Sequence, residues 1–276
     1  MNRNSGISWT HDTWNPWLGC DKVSEECLHC YIGRELRKQH REPWGHVYRA
    51  KTTWGKPAKW QRELRGTDTY MRMFTCSLSD FFHAKADSMR DEAWEIIRDT
   101  PNCVYLVLTK RPERILRHLP MDWGDGYPNV WLGTSIGSNK TAYRGDVLRK
   151  VPAAVRFFSC EPLLEDISAK LDMSGIQWTI AGGESGDGQE YRYDPKSDWR
   201  GLPDTGRRTM ELDWAYKLYM KANTLGIPFF FKQITSPRSG EGADKLLGHE
   251  IHEFPAPPNN GAWWEEPISA TSLTHA

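Results

Sequence analysis

The chain has 276 residues, which suits one large α/β domain, and its 36 Lys and Arg residues balance 36 Asp and Glu residues. A formal net charge of zero excludes a uniformly basic protein that coats nucleic acid and a protein with a long acidic tail. No apolar run approaches the ~18 residues of a membrane span and the first six residues lack the apolar stretch of a secretory signal, so we expect a cytoplasmic protein with no membrane partner.

Apolar runs typical of buried strands alternate with helical patterns from about residue 70 onward. Helical patterns occupy residues 87–97 and 211–225, and another begins at Pro112. The runs are apolar on both faces and recur at about the 30-residue spacing of a βαβ unit. The pattern predicts a partial or full (β/α) barrel of six to seven units, with an open doubly wound sheet as the competing architecture. The predicted strands are residues 7–10, 71–76, 103–108, 130–133, 155–158, 177–181 and 227–231.

Composition divides the chain into a barrel over residues 1–235 and an irregular tail over residues 236–276 that packs on the barrel. The tail is rich in Gly and Pro, with a short hairpin predicted near residues 246–251 and Trp263 and Trp264 predicted to dock it. A long polar insert over residues 187–209 stands where a lid would lie.

Polar side chains follow nearly every predicted strand. Parallel barrels and open sheets both bind ligands at the carboxyl ends of their strands, so we expect a site there. Lys110, Glu161 and Lys232 are the candidate catalytic residues. The lysines could transfer a proton or hold an anion, and Glu161 could instead form an ion pair with one of them. Arg111 and Arg114 could together clamp a phosphate. The full set of strand-end residues is Ser79, Asp80, Lys110, Thr134, Ser135, Glu161, Glu184 and Lys232.

Three of the six cysteines, Cys20, Cys27 and Cys30, fall within eleven residues in the spacing C-x6-C-x2-C. A disulfide framework is not expected in the cytoplasm. Thiolates are preferred ligands of iron–sulfur clusters and of zinc. Three of them on a [4Fe–4S] cluster leave one iron open for a substrate or cofactor, and we favour this interpretation. A zinc site completed by a distant histidine such as His11, and three unrelated cysteines, remain as alternatives.

Residues 34–65 carry ten Lys and Arg against three Asp and Glu, with four aromatic residues interleaved. Basic side chains with aromatic rings can bind phosphates and stack on bases, so nucleic-acid contact is one interpretation. The alternative is a solvated basic segment whose tryptophans pack on the barrel. The aromatic residues are Trp44, Tyr48, Trp54 and Trp60.

The cysteine motif, which runs from Trp14-Asn15-Pro16 through Gly19-Cys20 to Cys30-Tyr31, resembles the three-Cys-motif phage proteins, a family whose domain has no known function. The resemblance extends over residues 7–255, with further motifs at residues 79–82, 108–112, 131–135, 158–162, 182–186 and 229–233. More distantly, the chain is similar to radical S-adenosylmethionine (SAM) enzymes such as spore photoproduct lyase, in which tyrosine also follows the last cluster cysteine.

The resemblance implies that the open iron holds the amino and carboxylate groups of SAM. An electron from the reduced cluster would then cleave SAM to a 5′-deoxyadenosyl radical, which abstracts hydrogen from the substrate. Residues 182–184 are similar to the Gly-Gly-Glu element that binds the SAM amino group. They follow about the sixth strand rather than the second, so Glu184 could instead bind substrate, or SAM in another orientation. The implied cofactor-binding residues are Tyr31, Ser79, Asp80, Thr134, Ser135, Gly182, Gly183 and Glu184.

The resemblance and the basic segment favour a nucleic-acid or nucleotide substrate, either for repair or for base modification, in a bacterial or phage-infected cell. An electron donor is then required as a partner. The second hypothesis is a zinc-containing nucleic-acid-binding protein without catalysis, which predicts salt-dependent binding to nucleic acid.

Overall fold

The computed structural model describes residues 6–185, 208–236 and 242–265. Its centre is a sheet of seven parallel strands that pair in the order in which they occur along the chain. Most residues of these strands are apolar because the sheet is covered on both faces. The strands are β1 (Asp12–Trp14), β2 (Thr69–Thr75), β3 (Cys103–Thr109), β4 (Val130–Ser135), β5 (Val155–Cys160), β6 (Trp178–Ala181) and β7 (Phe229–Phe231).

The sheet curls into a partial (β/α) barrel, as predicted. Strictly sequential strand order differs from the order of a doubly wound sheet, which reverses at its centre. Within the described residues, no ladder joins β7 to β1, so the barrel is not closed by backbone pairing. The strand predicted at residues 7–10 is displaced. These residues form a turn, the ladder begins at Asp12, and Trp9 fills the barrel interior.

Helices cover the outer face of the sheet. The predicted helix at residues 87–97 forms, and it buries Ala93, Trp94 and Ile97. The pattern that begins at Pro112 forms a 3₁₀-helix, and the His118 ring lies 2.7 Å from the Arg114 carbonyl oxygen. The helices are α1 (Ile32–Arg37), α2 (Lys56–Leu64), α3 (Asp87–Asp99), α4 (Tyr143–Leu148) and α5 (Leu212–Thr224), with 3₁₀ segments at Glu25–Cys27, Ala84–Ala86, Pro112–His118 and Pro258–Asn260.

Aromatic side chains fill the inner face of the barrel. The ring centroids of Trp131 and Trp178 lie 5.9 Å apart, and Trp9 lies 6.2 Å from Trp178. Edge-to-face contacts of this kind stabilise a core beyond the effect of the buried area alone. Within the described residues, aromatic side chains therefore occupy the interior below the mouth of the barrel.

Gly133 on β4 leaves room for the Phe157 ring of β5, because a Cβ atom there would lie 2.3 Å from that ring. The ring is fully buried and cannot move aside. We expect Gly133→Ala to lower the free energy of unfolding by about 1–3 kcal/mol through overpacking. Denaturant unfolding followed by tryptophan fluorescence checks this. Gly55→Ala is the control, since its added Cβ meets nothing within 4 Å, and equal losses in both variants would contradict the packing argument.

After β7 the chain returns along that strand, where His252 forms an antiparallel bridge with Phe230, and it then reaches the start of β2. A short hairpin, Lys245–Leu246 with His249–Glu250, forms in the predicted region. Strand β8 (Ala262–Trp263) then pairs in parallel with the start of β2. Trp263 and Phe254 lie against the guanidinium of Arg72 inside the barrel. Division of the chain into a barrel and a tail stays a prediction.

The predicted lid over residues 187–209 falls, except for its last two residues, outside the described part of the chain. Among the described residues, no helix is both long enough and apolar enough to cross a membrane.

Candidate active site at the mouth of the barrel

A cavity of about 520 Å³ opens at the carboxyl ends of the strands. Its volume lies in the range of small-molecule sites. The three cysteines line it together with residues at or near the ends of all seven strands, β1 to β7. Of the sequence-predicted site residues, the cavity brings together Cys20, Cys27, Cys30, Tyr31, Ser79, Asp80, Lys110, Ser135, Glu161, Gly183, Glu184 and Lys232.

Thr134 and Gly182 do not line the cavity. Successive side chains of a strand point to opposite faces, so Ser135 faces the mouth while Thr134 does not. The Thr134 hydroxyl donates to the Thr109 carbonyl at 2.9 Å, so the structure does not bring Thr134 to the cavity with the other predicted residues. Gly182 acts by lacking a side chain, because a Cβ there would lie 2.8 Å from Glu161 Oε1.

Glu161 and Lys232 form an ion pair across the mouth, with Lys232 Nζ 2.9 Å from Glu161 Oε1. This is the ion pair that the sequence left open for Glu161. Lys110 differs, since its Nζ donates to the Ser135 hydroxyl at 3.1 Å and, among the described residues, lies within ion-pair distance of no carboxylate. The lysines and Glu161 together give this side of the cavity an excess of positive charge.

Asp80 is fully engaged within the protein. Its Oδ1 accepts from the Thr109 hydroxyl and the Phe82 N–H, and its Oδ2 accepts from the Lys110 N–H. The Arg111 guanidinium completes the set at 2.9 Å. Burial raises the pKa of Asp80, but Arg111 and these hydrogen bonds lower it by a larger amount. The pKa therefore lies below its ordinary value, and the carboxyl group is ionised. Four donors use all four lone-pair positions of the carboxylate, which holds Arg111 in place, and cofactor binding by Asp80 stays a prediction.

Arg111 lies beside the first cysteine. Its Nη1 donates to Cys20 Sγ at 3.7 Å, and its Nη2 donates to the Asp21 carbonyl at 2.8 Å. Burial raises the pKa of the free Cys20 thiol to about 12 although Arg111 opposes that rise. Arg114, the other half of the expected phosphate clamp, pairs with Asp87 outside the cavity. The two arginines therefore do not form a clamp.

Glu26, next to Cys27, anchors the cysteine loop to the loop after β4. Its buried carboxylate accepts hydrogen bonds from the Gly137 N–H and the Thr141 hydroxyl, with Arg144 at 3.5 Å. Burial raises its pKa, but Arg144 and the hydrogen bonds outweigh that effect and lower it. Sequence reasoning missed Glu26, because nothing in the polar stretch between Cys20 and Cys27 distinguishes it from a solvated glutamate.

Glu184 joins the end of β6 to the same loop. His29 Nδ1 lies 2.8 Å from its Oε2, and Arg208 binds the carboxylate through its guanidinium and its backbone N–H. Burial raises the pKa of Glu184, but the hydrogen bonds from His29 and Arg208 dominate and bring it to about 2. Arg208 also donates to the Glu25 carbonyl at 3.0 Å. Glu184 is thus ionised and holds two neighbouring segments together, a role that the sequence did not predict.

Tyr31 and Ser79 fix the remaining side of the cysteine loop. The Tyr31 hydroxyl donates to the Ser77 carbonyl, and the Ser79 hydroxyl donates to the Gly19 carbonyl. Burial is the main cause of the raised pKa of Tyr31, so its phenol is neutral. Both residues therefore hold backbone of the loop in the described structure.

The donor set fits an iron–sulfur cluster in its chemistry, since three cysteine thiols line one cavity. Among the described residues, no three His, Cys, Asp or Glu side chains are grouped as ligands of one metal ion. His11 cannot complete a zinc site, because it lies at the amino end of β1 and its Nδ1 accepts from the Arg72 N–H at 3.0 Å. Burial, with Arg72, lowers the pKa of His11 to about 3.

The aromatic residues of the basic segment mostly pack on the barrel. Trp60 is buried and its Nε1 donates to Asp12 at 2.9 Å. Trp54 lies against Trp14, with Arg49 4.0 Å above its ring. Trp44 is half-buried and lines the cavity. The packing alternative thus accounts for the tryptophans at positions 54 and 60.

Comparison with known proteins gives two matches. A family model described as "Protein of unknown function (DUF5131)" matches residues 4–253. No curated protein matches the sequence. A solved structure that matches is a cysteine-to-serine mutant of spore photoproduct lyase, with a TM-score of 0.44 and 13% sequence identity. The match covers 66% of this chain and 58% of that chain, so this chain spans less than two thirds of that protein's length.

Proposed function

The chain belongs to the DUF5131 family of proteins of unknown function, and from its own site we propose that it is an iron–sulfur enzyme of the radical SAM type. The observation that carries the proposal is the meeting of Cys20, Cys27 and Cys30 with charged strand-end residues in one cavity. Structural cysteines are usually dispersed in apolar cores, whereas these three line one cavity that also contains charged side chains and has room for a ligand.

The three cysteines would hold a [4Fe–4S] cluster that has one iron without a protein ligand. When bound and reduced by a one-electron donor, such a cluster supplies the electron that breaks the S–C5′ bond of SAM, giving methionine and a 5′-deoxyadenosyl radical that takes a hydrogen atom from the substrate. The protein's own part is to fix the cysteine loop, which Glu26 and Glu184 do from two sides.

Lys110 is the residue to which we assign an anionic group of the ligand, either the carboxylate of SAM or a phosphate. Its ammonium reaches the cavity, and its described partner is the neutral Ser135 hydroxyl. Glu161 and Lys232 are assigned to the substrate. Each of them can turn from its present ion pair towards a substrate group of opposite charge without leaving the mouth.

A nucleic-acid or nucleotide substrate is the class that we propose. Arg34 and Trp44, from the basic segment, line the cavity. Arg37 is the last residue of α1 and Lys38 follows it in the sequence. Both side chains are exposed, whereas that of Arg34 is half-buried. Cations on this surface would bind phosphates outside the cavity, while the half-buried indole of Trp44 offers a ring at its edge.

An assay of SAM cleavage tests the assignment of Lys110. We expect the dithionite-reduced protein to convert SAM to 5′-deoxyadenosine, measured by chromatography. Lys110→Ala should lower this rate at subsaturating SAM by about 10- to 100-fold, the loss of one charge-assisted hydrogen bond. Lys217→Ala is the control, because Lys217 lies on α5 and pairs with Asp213 and Asp166. Iron-loaded wild-type protein that releases no 5′-deoxyadenosine would contradict the use of SAM.

A further inference from the structure

Arg111 is a buried cation in direct contact with a sulfur atom that the proposed function makes a cluster ligand. Its Nη1 lies 2.9 Å from Asp80 Oδ2 and 3.7 Å from Cys20 Sγ, and its Nη2 donates to the Asp21 carbonyl. Its side chain is 9% exposed. A guanidinium with all these partners inside the fold is held in one orientation, pointing at the first cysteine.

A closed hydrogen-bond network fixes that orientation. The Arg111 backbone N–H donates to the Thr109 hydroxyl, which in turn donates to Asp80 Oδ1. Asp80 also accepts from the Lys110 N–H. The carboxylate and the guanidinium are therefore positioned by the same turn after β3, and the guanidinium stands between Asp80 and Cys20.

The physical effect on a cluster follows from the charges. Addition of an electron makes a cluster and its thiolates more negative, and an N–H donor or a cation at a ligand sulfur stabilises that added charge. Asp80 opposes this effect, but Arg111 is the charged group that donates directly to the sulfur. The contact should therefore favour the reduced state, which is the state that the proposed chemistry requires.

We propose that Arg111 is a positioning residue that holds Cys20 and raises the reduction potential of the cluster, with Asp80 setting the size of that effect. This inference rests on the proposed function. It goes beyond it by assigning control of the potential to one ion pair, neither member of which binds the cluster, SAM or substrate.

Reduction potentials of anaerobically purified variants test the inference. Reductive titration followed by EPR, without SAM, should give a lower potential for Arg111→Met than for the wild type, and a smaller decrease for Arg111→Gln, whose amide can still donate. Asp80→Asn should shift the potential upward, since it leaves the cation and removes the opposing carboxylate. Arg114→Met is the matched control, because Arg114 pairs with Asp87 outside the cavity, and its potential should equal that of the wild type.

Opposite shifts for Arg111 and Asp80 variants distinguish an electrostatic role from a merely structural one, which would give loss of iron in both without a signed shift. If Arg111→Met holds no cluster, the reduction potentials of Arg111→Gln and Asp80→Asn test the inference instead, and they should shift in opposite directions from that of the wild type. Equal potentials in the wild type, Arg111→Met and Asp80→Asn would overturn the inference and leave the proposed function intact. Wild-type protein that holds zinc and no iron would instead overturn the proposed function, and this inference with it.

Discussion

Cys27→Ala is expected to abolish the iron–sulfur cluster and, with it, all reductive cleavage of SAM. Cys27 lies in the middle of the three-cysteine loop, and its sulfur faces the cavity beside Cys20 and Cys30. Two cysteines cannot hold a [4Fe–4S] cluster that already relies on only three protein ligands. Iron and sulfide per chain should fall to near zero, and the visible charge-transfer absorption of the anaerobic protein should disappear.

Cys160→Ala is the matched control for this experiment. Cys160 is fully buried at the end of β5, but it packs among the residues of the outer core and does not line the cavity. Its variant should keep the iron and sulfide of the wild type. Retention of a normal cluster by Cys27→Ala, or its loss from both variants alike, would contradict the assignment of the ligands.

Asp80→Asn is expected to cause the largest loss of stability among the site variants. The substitution leaves the Arg111 guanidinium buried without its carboxylate, and breaking a buried ion pair in this way costs about 3–5 kcal/mol. Chemical denaturation of the cluster-free protein at neutral pH measures the free energy of unfolding. The Asp80 pKa is lowered, so the contribution of its charge is present above the ordinary pKa of a carboxyl group and is lost as the pH falls below it.

Glu92→Gln provides the comparison, because Glu92 forms an exposed ion pair with Arg49. Exposed pairs contribute about 0–1 kcal/mol, so this variant should unfold nearly as the wild type does. The difference between Asp80→Asn and Glu92→Gln should itself shrink as the pH is lowered towards 3. Equal stabilities of the two variants at neutral pH would show that the Asp80–Arg111 pair does not anchor the site.

The sequence predicted most of the barrel, because strands covered on both faces produce uninterrupted apolar runs. Residues 103–108, for example, were predicted as a strand that the structure extends by one residue to Thr109. The first strand was predicted at residues 7–10, ahead of its observed position, because β1 is only three residues long and contains the polar Asp12. Asp12 is stabilised by Lys56 and Trp60, more than 40 residues away, and no local pattern reveals such partners.

The location of the candidate site could also be predicted, since parallel topology brings the ends of consecutive strands to one mouth. The hydrogen-bond and ion-pair partners of the site residues could not be predicted. Asp80 pairs with Arg111, which is 31 residues away in the sequence, and Glu184 contacts His29, which is 155 residues away. Only the folded chain shows which carboxylates face a ligand and which are neutralised by arginine. Thr134 illustrates a nearer miss, because the alternation of a strand allows either Thr134 or Ser135 to face the mouth, but not both.

Metal and sulfide analysis of the anaerobically purified protein, combined with EPR before and after addition of SAM, tests the central claim most directly. About four iron and four sulfide per chain, with an EPR signal of the reduced cluster that shifts when SAM is added, is the result that we predict. One zinc per chain with no iron, or a reduced cluster whose signal SAM leaves unchanged, would contradict the proposal that the three cysteines hold a cluster with an iron open to SAM.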